Sequence, residues 1–406
     1  MNGPIQGLMQ DDFPLTLQHA RRRMRDCHPA AQVSTMIPDG VVRASYGEVC
    51  ERVDRLARVL ERLGIGPGDR VGTFAWNNQR HFELYMAVPC VGAVLHTLNI
   101  RLFAEQLTYI VNHAEDQVIF VDDSLVPLLE PLAQSFTGVR HFVLMGDPAG
   151  PDPDLPSPGD ANAAHTSLPN ALRYEELLEQ AGPGPYDYPE LDERQAAALC
   201  YTSGTTGNPK GVLYSHRSIC LHATASLMAD NLALSQRSRA LVIVPMFHAN
   251  AWGIPHAAAL CGADLVMPDR FLGAEPLARA IEAERPTVMG CVPTIFADLL
   301  RYADEHEADL SSLTNAVCGG SAVPRALMKD FQERYGVRIF QGWGMTETSP
   351  VATFCEPAED RGHDERYWDE RALQGKPLPW VELRLIGDDG REVAWDGRST
   401  GEIQVR

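Results

Sequence analysis

The sequence is short of lysine: Lys210, Lys329 and Lys376 stand against thirty-two arginines. It is also short of positive charge as a whole, with a formal net charge of −19 at pH 7, and a field of that sign repels nucleic acid and anionic membrane surfaces. The basic run "RRRMR", Arg21–Arg25, has no interleaved aromatics and reads as a solvated helix face rather than a nucleic-acid patch. No stretch of eighteen apolar residues occurs, and "MNGPIQGLMQDDF" has no basic segment followed by an apolar core. A spanning helix and export are therefore not expected. The nine cysteines are odd in number and contain no C-x-x-C pair, which fits free thiols in a reducing cytoplasm and argues against a disulfide framework or a zinc site.

What is present is a chain of 406 residues, 45% hydrophobic, long enough to bury a large core in two or three units. Val49, Val53, Leu56, Leu60 and Leu63 recur at three- and four-residue steps, which predicts an amphipathic helix over 47–63 ended by Gly64. Apolar runs at 69–76, 116–123 and 141–146 read as strands, with a helix-like stretch at 80–94 between the first two. After a proline-rich, acidic loop at 147–170, further strands are expected at 240–245, 263–268, 287–293, 315–320 and 337–342. Such alternation implies an α/β fold with largely parallel sheets, in two facing subdomains, 1–190 and 191–374. From residue 375 short strands joined by an Asp-Gly turn suggest the start of a small barrel-like subdomain.

Chemistry is concentrated in four segments. "YTSGTTGNPKGV", Tyr201–Val212, combines glycines that admit a ligand close to the backbone, the hydroxyls of Thr202, Ser203, Thr205 and Thr206, and one of the three lysines, Lys210. Gly204 and Gly207 complete a phosphate cradle. It is not a P-loop, because Pro209 precedes the lysine and Gly211, not a hydroxyl residue, follows it. A compact ammonium suits a crowded phosphate loop better than a planar guanidinium. "PMFHANAWG", Pro245–Gly253, follows a strand and offers His248 to orient a carboxylate or phosphate oxygen and Trp252 to wall an apolar channel; taken singly, each is equally ordinary as a core residue. "QGWGMTET", Gln341–Thr348, places Trp343 between glycines where its ring can stand beside adenine, with Thr346 for phosphate and Glu347 for Mg²⁺. Gly320 and Ser321 of "CGGSAVP" supply a second close-approach edge. Ligands of parallel sheets sit beyond such strand ends.

Together these segments resemble the adenylate-forming superfamily of acyl-CoA synthetases, adenylation domains and luciferases, whose Y-T-S-G-T-T-G-x-P-K-G loop is present without a gap at Tyr201–Gly211. "AWNNQRHFELYMAVPCVGAVLHTLNIRL" and "YIVNHAEDQVIFVDD" resemble the bacterial medium- and long-chain fatty acyl-CoA synthetases. The resemblance implies ATP-dependent conversion of a fatty acid to acyl-AMP, then to acyl-CoA. It assigns Mg²⁺ to Thr202 and Glu347, ATP contacts to Gly320, Gln341, Gly342 and Thr346, carboxylate orientation to His248 and an acyl-tunnel gate to Trp252. CoA is the second substrate, and the resemblance allows homodimer pairing. Trp343 stands where many members carry tyrosine, and Ile100 replaces the usual proline of N-P-R-L. The chain stops at Arg406, before the superfamily's T-G-D motif and the C-terminal domain that bears the adenylation lysine, so the resemblance implies the large N-terminal domain alone, with little activity by itself. A ligase for aryl or other carboxylic acids and a non-catalytic acyl-adenylate-binding protein remain alternatives.

Overall fold

A computed structural model describes residues 13–38, 40–146, 166–202, 207–356 and 364–406. Among these the strands are β1 (Gln32–Ile37), β2 (Gly40–Ser45), β3 (Arg70–Phe74), β4 (Val94–Thr97), β5 (Asp116–Val121), β6 (His141–Leu144), β7 (Ala171–Arg173), β8 (Ala196–Thr202), β9 (Lys210–Ser215), β10 (Arg239–Val242), β11 (Asp264–Met267), β12 (Val288–Cys291), β13 (Asn315–Cys318), β14 (Arg338–Gly344), β15 (Val351–Phe354), β16 (Lys376–Pro377), β17 (Leu383–Ile386) and β18 (Glu402–Val405). The helix expected over 47–63 runs Tyr46–Arg62. It is started by a capping box in which the Ser45 hydroxyl accepts the Glu48 N–H and the Glu48 carboxylate accepts the Ser45 N–H, and this reciprocal pairing satisfies two otherwise orphaned donors.

The strands form a seven-stranded sheet in the order β7-β6-β5-β3-β4-β8-β9, a nine-stranded sheet in the order β16-β15-β14-β13-β12-β10-β11-β1-β2, and the pair β17-β18. Pairing is parallel from β7 to β8 and from β14 to β1, with antiparallel strands at the edges. Alternation along a strand sends successive side chains to opposite faces. Thus Ala240 and Val242 of β10 face a core shared with the helices Tyr46–Arg62, Gln79–Cys90 and Ile254–Cys261. Leu241 and Ile243 face a second core against Phe296, Leu299 and Phe331. The seven-stranded sheet sends Val71, Leu95 and Phe120 into the shared core and Phe74, Ile119 and Val121 outward, so one helical layer is held between two sheets.

The sheets cut across the division at residue 190. β1 and β2 join the nine-stranded sheet, whereas β8 and β9 join the seven-stranded one. Linear alternation does not reveal this, because sheet membership is decided by which edge is open when the strand arrives: β8 lies parallel beside β4 through Leu95↔Ala198 and His96↔Leu199. The expected barrel start is a two-stranded antiparallel sheet, Leu383–Ile386 against Glu402–Val405, and the described residues hold no closed barrel. Most of the proline-rich loop, 147–165, lies outside the described residues.

Candidate active site

The carboxyl ends of β4, β10, β12, β13 and β14 converge on one cavity of about 320 Å³, lined by Ile243, Pro245, Phe247, His248, Trp252, Leu272, Cys291, Val292 and Ile295 together with Gly319, Gly320, Gly342, Trp343, Gly344, Met345 and Thr346. Asn99 and Arg101, just beyond β4, also reach it. The lining therefore combines apolar side chains with a glycine-rich edge, the combination needed for a ligand with an apolar part and a planar polar part.

The glycine loop hangs from the β8–β9 hairpin, in which Thr202 pairs with Lys210 and Tyr201 with Gly211. Ser203, Gly204, Thr205 and Thr206 lie outside the described residues; Gly207 is described and has φ +138°. The base of the hairpin is anchored. The Tyr201 hydroxyl is 2.6 Å from His113 Nδ1, and its ring lies 5.1 Å from that of His96, which is itself paired with Asp116 at 2.8 Å in full burial. Lys210 is exposed, as expected of a side chain kept available for a ligand.

The Tyr214 hydroxyl donates to the Thr346 carbonyl at 2.7 Å, and this bond ties the hairpin to the "GWGMTET" segment. Thr346 lines the cavity, while Glu347 lines an adjoining cleft with His222, Thr348 and Trp380. Glu347 is exposed and has neither a hydrogen-bond nor an ion-pair partner among the described residues. Burial pushes the Tyr214 phenol well above its usual range, and the Glu347 charge adds to the effect. Glu347 sits on a turn packed against β8, the strand that ends in Thr202, and a carboxylate without a protein partner fits Mg²⁺, which takes one or two carboxylates and completes its shell with phosphate oxygens and water.

Gln341 departs from its expected role. Its side-chain oxygen accepts the Val323 N–H at 2.7 Å and its amide nitrogen donates to the Ala372 and Leu373 carbonyls, each at 2.8 Å. With 1% exposure, this amide shapes the wall and has no donor left for a nucleotide. Ser321 is exposed but does not line the cavity. Gly344 is required by space alone, since a Cβ there would lie 2.0 Å from the Pro350 carbonyl oxygen.

On the apolar side, Ala249, Asn250, Ala251 and Trp252 have φ of 44°, 50°, 51° and 53°, and Gly253 follows at 75°. Left-handed backbone costs roughly 1–2 kcal/mol per residue when the side chain is neither Gly nor Asn, so this turn is held by its surroundings. It projects Trp252 across Gly290 of β12 and Gly319 just beyond β13. A Cβ on Gly290 would lie 3.7 Å from the indole, and one on Gly319 3.3 Å. His248 is exposed and opens onto the cavity, where partial desolvation of its ring lowers its pKa from the ordinary value. Cys291, also on the wall, has its thiol pushed far up by burial and serves as an apolar surface.

Two braces escaped the sequence reading. The Asn77 amide donates to the Val242 and Val244 carbonyls at 2.7 and 2.8 Å and accepts the Met246 N–H at 2.7 Å. The Tyr85 hydroxyl donates to the Met246 carbonyl. Both lie in "AWNNQRHFELY", and the available signal was two polar groups at positions that the helix Gln79–Cys90 and its cap bury.

A profile of AMP-binding enzymes matches residues 20–406. The chain is 42% identical over 394 residues to a medium-chain-fatty-acid–CoA ligase of Ectopseudomonas oleovorans, covering 96% of this chain and 69% of that one. It is also 42% identical over 393 residues to a 3-methylmercaptopropionyl-CoA ligase of Ruegeria pomeroyi, covering 96% and 70%. Among solved structures, the anthranilate CoA ligase AuaEII in complex with anthranoyl-AMP superposes with a TM-score of 0.82 at 22% identity, over 98% of this chain and 70% of that one.

Proposed function

The chain belongs to the AMP-binding enzyme family, and from that premise we propose that it is the part of an acyl-CoA ligase that binds ATP and a medium- or long-chain fatty acid and joins them as acyl-AMP, from which CoA takes the acyl group. The observation that carries the reading is the mixed lining of one cavity, which joins the apolar Trp252, Cys291, Val292 and Ile295 to Gly320, Trp343 and Thr346. The apolar set receives the alkyl chain and the glycine-rich set the adenylate.

In the first step a carboxylate oxygen of the acid bonds to the α-phosphorus of ATP while the bond from that phosphorus to the bridging oxygen breaks, and pyrophosphate leaves. Two anions must be brought together, so charge, alignment and exclusion of water set the rate. His248 donates a hydrogen bond to the acid's carboxylate and aims it. Lys210 and the glycine loop hold the β- and γ-phosphates; Trp343 stacks on the adenine; Gly320 lets it approach. Thr202 and Glu347 would hold Mg²⁺, which would supply positive charge toward the phosphates. In the second step the CoA sulfur bonds to the acyl carbon, AMP departs with the electrons of the carbon–oxygen bond, and the thiol proton is lost to solvent. Trp252 closes the apolar side, which protects acyl-AMP from water.

A second reading has a specific observation in its favour. A cavity of about 320 Å³ lies at the small end of ligand sites, which run from about 300 to 1,000 Å³, and the relative named for a short thioether acid matches at the same identity as the medium-chain one. Calorimetry with non-hydrolysable decanoyl-, palmitoyl-, 3-methylmercaptopropionyl- and benzoyl-AMP analogues separates these readings. Tightest binding of the decanoyl or palmitoyl analogue supports the fatty-acid reading, and tightest binding of either shorter one replaces it. No described helix is long and apolar enough to cross a membrane, and all nine cysteines are free; we place the protein in the cytoplasm, as a homodimer that light scattering would reveal.

A further inference from the structure

We propose that Asn250 is a positioning residue: its buried amide pins the left-handed turn Ala249–Trp252 to Tyr85 and Cys200, and so sets Trp252 across the apolar side of the cavity. Asn250 is 2% exposed. It is not part of the cavity wall, although Ala249 and Trp252 on either side of it are. Its side-chain oxygen accepts from Cys200 Sγ at 3.4 Å and packs against the Tyr85 hydroxyl oxygen, also at 3.4 Å. Tyr85 gives its one proton to the Met246 carbonyl, so one tyrosine hydroxyl touches both ends of the segment that carries His248. Cys200 is two residues from Thr202 on β8, and the same amide thus joins the acyl side to the root of the phosphate loop.

The backbone alone does not explain an asparagine here. Asparagine tolerates positive φ better than most residues, but glycine tolerates it better still and would avoid the buried side-chain nitrogen of Asn250, which has no partner. A residue kept only for the turn would not carry that orphaned donor. The amide oxygen is the part that the fold uses, and what it fixes is the direction in which Trp252 leaves the turn, over Gly290 and Gly319.

The inference rests on the reading of the cavity as an acyl site, and the test separates the two. Asn250→Gly keeps the freedom for positive φ and deletes the amide, while Tyr85→Phe removes the hydroxyl from the opposite partner. Each is made with Trp252 present and with Trp252→Phe, so that the difference in emission reports this one indole. Acrylamide quenching of Trp252 is expected to rise in both variants. Affinity for the decanoyl-AMP analogue is expected to fall by about tenfold, with Mg-ATP affinity unchanged. Unaltered Trp252 quenching in folded Asn250→Gly and Tyr85→Phe overturns the proposal, and so does an equal loss of both ligands with a lowered Tm, which would make Asn250 a general structural residue. Quenching needs no ligand. A wild-type protein that binds Mg-ATP but ignores the decanoyl analogue therefore refutes the acyl reading and leaves quenching to decide the role of Asn250.

Discussion

The packing of Trp252 over glycine predicts a sharp outcome for Gly319→Ala. A methyl group on Gly319 would lie 2.9 Å from the Gly342 carbonyl oxygen and 3.3 and 3.6 Å from the indole atoms Cη2 and Cζ2 of Trp252, where carbon contacts are comfortable at about 3.5–4.0 Å. The oxygen belongs to the backbone of β14, which pairs with β13 through Cys318↔Gln341, and it has no rotamer to give. The indole is the neighbour able to move, and the direction open to it is into the cavity. Overpacking of this kind costs about 1–3 kcal/mol. Because Gly319 does not have positive φ, the whole penalty is steric. Thermal melting should show a drop of a few degrees in Tm, and calorimetry should show weakened binding of the decanoyl-AMP analogue with Mg-ATP binding retained. Gly66→Ala is the control: its methyl meets nothing closer than Asp69 Oδ2 at 4.0 Å, and its effect should stay within about 0.5 kcal/mol. A Gly319→Ala protein that melts and binds like wild type would show that the indole does not rest on this glycine.

Lys210→Ala and Glu347→Gln should each weaken Mg-ATP binding by calorimetry while leaving Tm nearly unchanged, since both side chains are exposed and bear on ligand more than on core; a large stability loss with intact binding would contradict the roles given to them. Trp252→Ala should keep ATP binding and alter the ranking of decanoyl against palmitoyl analogues, and an identical ranking would remove its gating role. Stability should also depend on pH. Burial lowers His81, His216 and His222 to about 4 and His256 to about 3 from an ordinary 6.5, so the unfolded chain takes up protons before the folded one does. The contribution of these residues is complete above about pH 6.5 and is lost as pH falls through that value toward 4. Urea midpoints should therefore drop between pH 7 and pH 5, and a flat profile would mean that these imidazoles are protonated in the fold.

The parts of the molecule legible in the sequence were those in which a local rule also serves a global one. The helix Tyr46–Arg62 was readable because its apolar spacing and its terminal glycine agree, and β10 to β14 were readable because strands buried on both faces leave continuous apolar runs. The candidate ligand segments were readable for a related reason: glycine, hydroxyl and tryptophan residues crowded at strand ends have few other uses. Sheet membership was not legible, since "AAALCYT" pairs with β4 through backbone bonds that any apolar strand could make. Gln341 misled because an amide at a strand end looks the same whether it faces a ligand or three backbone groups, and only its 1% exposure separates the cases. Asn77, Tyr85 and Asn250 were missed for the opposite reason. Their partners are carbonyls and a thiol more than a hundred positions away or, for Asn250, within an irregular turn, and no periodicity records a side chain whose task is to hold another segment's backbone. The wall that touches a ligand thus leaves its mark in residue type and spacing, whereas the frame that aims the wall is written in single buried polar residues. The aim of Trp252 is therefore open to change through Asn250 or Tyr85, without any substitution among the residues that line the cavity.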